Sequence, residues 1–298
     1  MSPVGAERGV GAPAVPGLRL RPRSAVVLAV ASLAGLMMFV WPLLLEVPAG
    51  SGTVQPPFVF MLLLPVVIVV CLAEFSEGGM DSKVLAVLAV LTAVNAVLRG
   101  LSAGVGGIEL VFFLLVLGGR VFGAGFGFVL GCTSLFASAL LTGGVGSWLP
   151  FQMMASAWVG MGAGLLPRRV RGRSEIAVLV GYGVLAAYLF GLAMNLTSWP
   201  FALGVTVPGY DGPDGPGGLA FVAGDPVLEN LRRFAVYTLL TSTGSWDTGR
   251  ALTTAVALVV LGPAVLATLR RAVRRATVVH LEPVEPPSRS ADAAGTGR

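Results

Sequence analysis

Residues 121–167 read VFGAGFGFVLGCTSLFASALLTGGVGSWLPFQMMASAWVGMGAGLLP, and no Asp, Glu, Lys, Arg or His interrupts them. One bilayer crossing takes about 20 apolar residues, so this run is long enough for two. Gly123, Gly127 and Gly131 recur at helical spacing, and so do Gly160 and Gly164. Small residues at that spacing let helices approach closely in lipid. The middle of the run, TGGVGSWLP, is a Gly/Ser/Trp/Pro turn. Together these features predict a tightly packed transmembrane hairpin with Trp148 near its tip.

The rest of the chain has the same character. Of 298 residues, 55% are hydrophobic and only 12% are charged. A soluble domain carries about 25% charge, so the chain is an integral membrane protein. The excess of Lys and Arg over Asp and Glu does not mark a nucleic-acid binder, because the arginines sit between apolar runs as topology signals do. Lys83 is the single lysine, and no phosphate-binding GxxxxGK[ST] motif surrounds it. Cys71 and Cys132 lie inside apolar runs and read as packing residues. His280, the single histidine, lies in a polar tail. No catalytic constellation, metal-ligand cluster or cofactor motif is present in the sequence.

Working outward from the hairpin, further apolar segments cover 24–45, 57–73, 84–98, 108–117, 176–199 and 251–269. The expected architecture is all-α, a polytopic transmembrane bundle of about eight helices. Residues 1–23 and 276–298 are expected to be disordered. Residues 24–74 form a two-helix N-terminal extension, and 83–275 form a six-helix membrane core. Its long outer loop spans 200–249, with an amphipathic lid over 226–241. The segment at 108–117 is short for a span and reads as tilted, extended by flanking glycines, or re-entrant.

The placement of Lys and Arg orients the bundle. With the N-terminus inside, inner segments carry Arg8, Arg19, Arg21, Arg23, Lys83, Arg120, the RRVRGR run at 168–173 and the RRAVRR run at 270–275. Outer segments carry Arg99, Arg232, Arg233 and Arg250. Both termini are therefore expected in the cytoplasm of a multi-pass plasma-membrane protein.

Polar side chains inside a membrane are costly and tend to mark function. In this topology Asn95, Glu109, Gln152 and Asn195 all fall at the outer ends of their helices. Trp148, Phe151, Trp199 and Trp246 gather at the same level, where an interfacial aromatic belt is the competing explanation. Asp247 and Arg250 open the last helix, where a capping role competes with ligand contact. The pattern suggests a cavity that opens outward and is closed below. On the helix at 84–98, Ala86, Ala89, Ala93 and Ala96 share one face, suited either to internal packing or to docking another membrane protein.

Several of these segments resemble the substrate-specific S component of energy-coupling factor (ECF) vitamin transporters, of actinobacterial type. The resemblance rests on LAVLAVLTAVNAVL, GGRVFGAGFGFVLG, SALLTGGVGSWLPFQM, WVGMGAGLLP and TSTGSWDTGRALTTAVALVVLGPAVLATLRR, and covers residues 83–275. The first two helices depart from the family core. The resemblance implies capture of a vitamin from outside in a pocket near the membrane surface. It also implies docking of Ala86, Ala89, Ala93 and Ala96 on a transmembrane coupling protein, which in turn holds two ATP-binding subunits. A cobalamin-like ligand is preferred, with riboflavin second. The rival expectations are a stand-alone secondary transporter or channel, which needs polar groups through the full depth, and a membrane assembly protein without a ligand.

Overall fold

The computed structural model describes residues 22–40, 43, 82–102, 107–199, 211–212, 215–216, 218–222 and 224–277. The helix expected at 57–73 lies outside them, and so does most of the expected N- and C-terminal disorder. Pro22 and Arg23 are helical, as are residues 276–277 at the other end.

The described residues build an all-α bundle. Its helices are α1 (Pro22–Phe39), α2 (Ser82–Ser102), α3 (Val111–Phe122), α4 (Ala124–Thr142), α5 (Leu149–Leu165) and α6 (Arg173–Ser198). Then come α7 (Val227–Thr238), a π-helical stretch over Leu239–Asp247, α8 (Thr248–Val260) and α9 (Gly262–Thr277). Between α6 and α7, β1 (Asp211–Gly212) pairs antiparallel with β2 (Gly215–Pro216). Helices α1, α2, α4 and α6 are long and apolar enough to cross a membrane, and α7–α9 together form a fifth, broken candidate. At 17 residues α5 lies at the short limit for a span.

The opening hairpin is α4–α5, and it packs through its glycines. A Cβ on Gly127 would overlap the carbonyl of Gly160, and a Cβ on Gly160 would overlap that of Gly127. Gly131 meets the Ser156 backbone in the same way, and Gly164 meets Ala124. Gly119 of α3 also rests on Gly160. The glycine stripes therefore serve packing within the bundle, where van der Waals contact drives helix association in lipid.

Of the three readings of the segment at 108–117, helix α3 fits extension by the flanking glycines, since it runs on through Gly118 and Gly119. Nearly all of it is buried, with Leu115, Val116 and Leu117 fully so. A helix apolar on every side belongs in a core. It is short because protein, not lipid, surrounds it. Its end differs: the hairpin was expected to begin at Val121, yet α3 runs through Arg120 to Phe122. The break falls at Gly123, whose φ of 101° favours glycine.

The outer-loop expectation needs a larger correction. Helix α7 falls within the segment expected as an amphipathic lid over 226–241, but the helical path does not stop there: it continues through Asp247 and runs directly into α8. The last helix, expected to be continuous over 251–269, bends by 66° between α8 and α9. Pro263 lies at the bend, and proline lacks the N–H that would continue the helical ladder.

Candidate functional site

Helix α3 has two ends, and an ionic cluster sits at each. At the first, Glu109 precedes α3 and Arg250 projects from α8. Arg250 donates from Nε to Glu109 Oε2 at 2.6 Å and from Nη1 to Asp247 Oδ1 at 3.0 Å. Its guanidinium lies 4.9 Å from the Phe190 ring centroid and 5.6 Å from that of Phe112. The rings of α3 and α6 thus cover a desolvated cation, where such contact is worth about 2 kcal/mol or more.

The π-helical stretch completes this group. Its i→i+5 geometry carries Ser242 over Asp247, and Ser242 Oγ donates to Asp247 Oδ2 at 3.0 Å. Such stretches recur at functional sites, where they re-aim side chains. Asp247 is buried against Gly191 of α6, where any Cβ would overlap its carboxylate. Gly107, with φ 79°, lies so close to the Trp246 backbone that a side chain would collide there as well. These two glycines seat the π-helical stretch on the bundle.

Arg99, in the last turn of α2, extends the array. It donates to Ser138 Oγ of α4 at 3.1 Å and to Gln152 Oε1 of α5 at 3.0 Å. Glu109 lies within electrostatic range of both Arg99 and Asp247. Two arginines and two carboxylates therefore balance at one end of the bundle. Removing one partner of such a buried pair costs about 3–5 kcal/mol, because it strands the other charge.

At the end of α6, eight residues past Gly191, Trp199 is fully buried, and its Nε1 donates to the Leu219 carbonyl at 2.7 Å. Phe221 meets it edge-on, and Phe234 of α7 packs at a tilt. Asn230 holds the Val222 backbone through both its amide atoms, at 3.1 and 2.9 Å. Arg233 pairs with Asp225 at 2.7 Å. The segment before α7 is thereby stitched onto α7 over Trp199.

Of the residues expected at the site, Glu109, Gln152 and Asp247 belong to this array. Asn95 is fully buried one turn below Arg99, and neither of its amide atoms has a partner. Asn195 is half-buried with an unpaired Nδ2. Trp148 and Trp246 are largely exposed, and the Trp148 ring folds back onto Gly146. Phe151 is buried, with its ring edge-on against Phe39 of α1. Arg99, read as a topology signal, and Ser138 were missed as participants. Arg250 was weighed only at the start of the last helix. Their signal was an arginine at an otherwise charge-poor helix end, facing the acids Glu109 and Asp247.

On α2, Ala86, Ala89 and Ala93 are exposed beside Leu85, Val90, Val94 and Val97, while Ala96 is 1% exposed and lies off that surface. Helix α1 packs elsewhere, on α5 and α6. Phe39 meets Trp158 of α5, whose Nε1 donates to Ser32.

The second cluster lies at the far end of α3. Arg120 Nε donates to Glu175 Oε1 at 2.7 Å, and Arg270 of α9 donates to the same oxygen at 2.6 Å. The remaining Arg120 nitrogens bond the carbonyls of Leu166, Pro167 and Val170. This cluster ties α3, α6, α9 and the α5–α6 connection together.

A family model described as the ECF transporter substrate-specific component matches residues 83–279. No curated protein and no solved structure gives a match. The matched region begins at α2 and takes in both ionic clusters.

Proposed function

The chain belongs to the family of ECF transporter substrate-specific components, and we propose that its Arg99 end faces outward and captures a vitamin or related micronutrient. As a member of that family it is a substrate-binding membrane subunit rather than an enzyme, working with an ECF coupling protein and ATPases. The observation that carries the finer reading is the balanced array of Arg99, Glu109, Asp247 and Arg250 at one bundle end. Charged groups taken out of lipid contact there, beside aromatic rings, suit recognition of a polar ligand.

In this reading Asn95, Glu109, Gln152, Asn195 and Asp247 supply polar contacts, and Trp148, Phe151, Trp199 and Trp246 form or support the aromatic walls. The ligand is cobalamin-like, with riboflavin as the second choice. Both termini lie in the cytoplasm, which places the Arg120 cluster and the basic α9 on the inner side, in accord with the bias of Arg and Lys. Ala86, Ala89 and Ala93 form the docking face for the coupling protein, through which two ATP-binding subunits act. Ala96 supports that helix from within the bundle.

Two measurements test this reading. Mass spectrometry of the purified chain identifies the co-purifying ligand, and a corrinoid or flavin is expected. Ala89→Trp places a large ring on the exposed α2 face and abolishes co-purification with the coupling protein, while ligand affinity stays within about twofold, because surface substitutions away from a site change little. Undiminished co-purification removes the docking assignment.

A further inference from the structure

Beneath the Arg99 array lies a second polar layer whose groups have no partners. Asn95 is fully buried, and both its Nδ2 and its Oδ1 are unpaired. Ser134 and Ser156 are as deeply buried, and neither hydroxyl is paired. The three residues are spaced alike. Asn95 lies four positions from Arg99 on α2, Ser134 four from Ser138 on α4, and Ser156 four from Gln152 on α5. A four-residue step is one helical turn on the same face. In every case the step leads away from the Arg99 end and toward the bundle interior.

Above the layer, Arg99 bridges Ser138 and Gln152. At the level of the layer itself, Thr92 of α2 bonds Thr133 of α4 at 2.8 Å, and the Ser156 backbone rests on Gly131 of α4. Helices α4 and α5 contain no Asp, Glu, Lys, Arg or His, and the two arginines above are matched in number by the carboxylates Glu109 and Asp247. A charged group brought this deep would find no oppositely charged side chain within the layer itself and would have to draw Arg99 out of the balanced array above, and an unpaired charge in low dielectric is strongly disfavoured. An uncharged group able to donate and accept at adjacent atoms is the match. The Asn carboxamide presents the same donor–acceptor pair in reverse, so two hydrogen bonds close a ring.

We propose that Asn95, Ser134 and Ser156 form an inner subsite for an uncharged amide-type group of the ligand, a carboxamide or a lactam, with Arg99 as its cover. The proposal rests on the substrate-capture reading above and narrows it. Arg99 swings away from Ser138 and Gln152, the amide enters between α2, α4 and α5, and the orphaned groups gain partners. Vitamins whose buried end is a carboxylate are discriminated against.

The test uses the full chain in nanodiscs, with riboflavin (ring imide) and cyanocobalamin (peripheral carboxamides) as probes. Affinity, thermal midpoint and co-purification with the coupling protein are measured for each variant. Asn95→Leu removes two unpaired buried atoms, so the ligand-free midpoint rises, while affinity for the bound probe falls on the order of 10- to 30-fold, as two lost hydrogen bonds require. Ser134→Ala and Ser156→Ala each weaken binding about threefold to tenfold. Unchanged affinity in Asn95→Leu overturns the subsite and leaves the capture reading standing. Binding of neither probe by a chain that still assembles with its coupling protein overturns the ligand class. A chain that neither binds nor assembles overturns the reading beneath both.

Discussion

The two ends of α3 carry similar residues in different accounts. At the Arg120 end a single carboxylate, Glu175, receives two arginines, and three backbone carbonyls take up the remaining Arg120 donors. Every polar group named there is matched, and four structural elements meet at one point. At the Arg99 end the charges balance one to one, and the neighbouring Asn95, Ser134 and Ser156 have unmet hydrogen-bonding capacity. A fully matched cluster holds helices together and has nothing left for a ligand. A balanced cluster beside unmatched groups can exchange partners, as a binding site must.

The largest stability effect is expected from breaking the matched end. Glu175→Ala strands Arg120 and Arg270 without their shared carboxylate, at a cost of about 3–5 kcal/mol. The thermal midpoint in detergent should fall sharply, while the fraction that remains folded binds ligand with native affinity. A loss of affinity equal to the loss of stability would erase the distinction between the ends. Gly191→Ala is next. Its methyl group overlaps the Asp247 carboxylate, and such overpacking costs about 1–3 kcal/mol. Here affinity should fall as well, because Asp247 must leave Arg250 or Ser242. Glu109→Gln has the smallest effect on stability, about 1 kcal/mol, since Arg250 retains Asp247 and the rings of Phe112 and Phe190. Its effect on binding should nonetheless be about tenfold, which isothermal titration would read. A Glu109→Gln chain with native affinity would confine the ligand to the aromatic side of the array.

The hairpin at 121–167 was legible because its signals are local. Absence of charge marks lipid exposure or deep burial, and glycine spacing marks close packing, before any partner helix is known. The boundary between α3 and α4 was less legible. Arg120 reads as a helix end in lipid, yet it runs on inside a helix because distant Glu175 and the carbonyls at 166, 167 and 170 satisfy it. The helical continuation over 239–247 was hidden by its own composition: LLTSTGSWD is rich in Ser, Thr and Gly, which ordinarily favour turns. It is helical because Gly107 and Gly191 let the bundle close around it. Phe151 illustrates the same limit at the candidate site. Sequence places it beside Gln152, but a rotation of one residue on α5 sends its ring to Phe39 while Gln152 reaches Arg99.

By itself the sequence determined a helical membrane bundle, its close-packed hairpin, the helix ends where polar residues gather, and the resemblance to an ECF S component. These follow from the cost of polar groups in lipid and from periodicity, which are properties of each segment alone. Tertiary structure decided which polar groups meet. It joined Arg250 to Glu109 across 141 positions, set Arg99 between Ser138 and Gln152, buried Ala96 while exposing Ala89, and orphaned Asn95 beneath them. Hydrogen bonds and ion pairs act over about 3 Å, so they depend on the rotation and register of whole helices, which no single segment specifies.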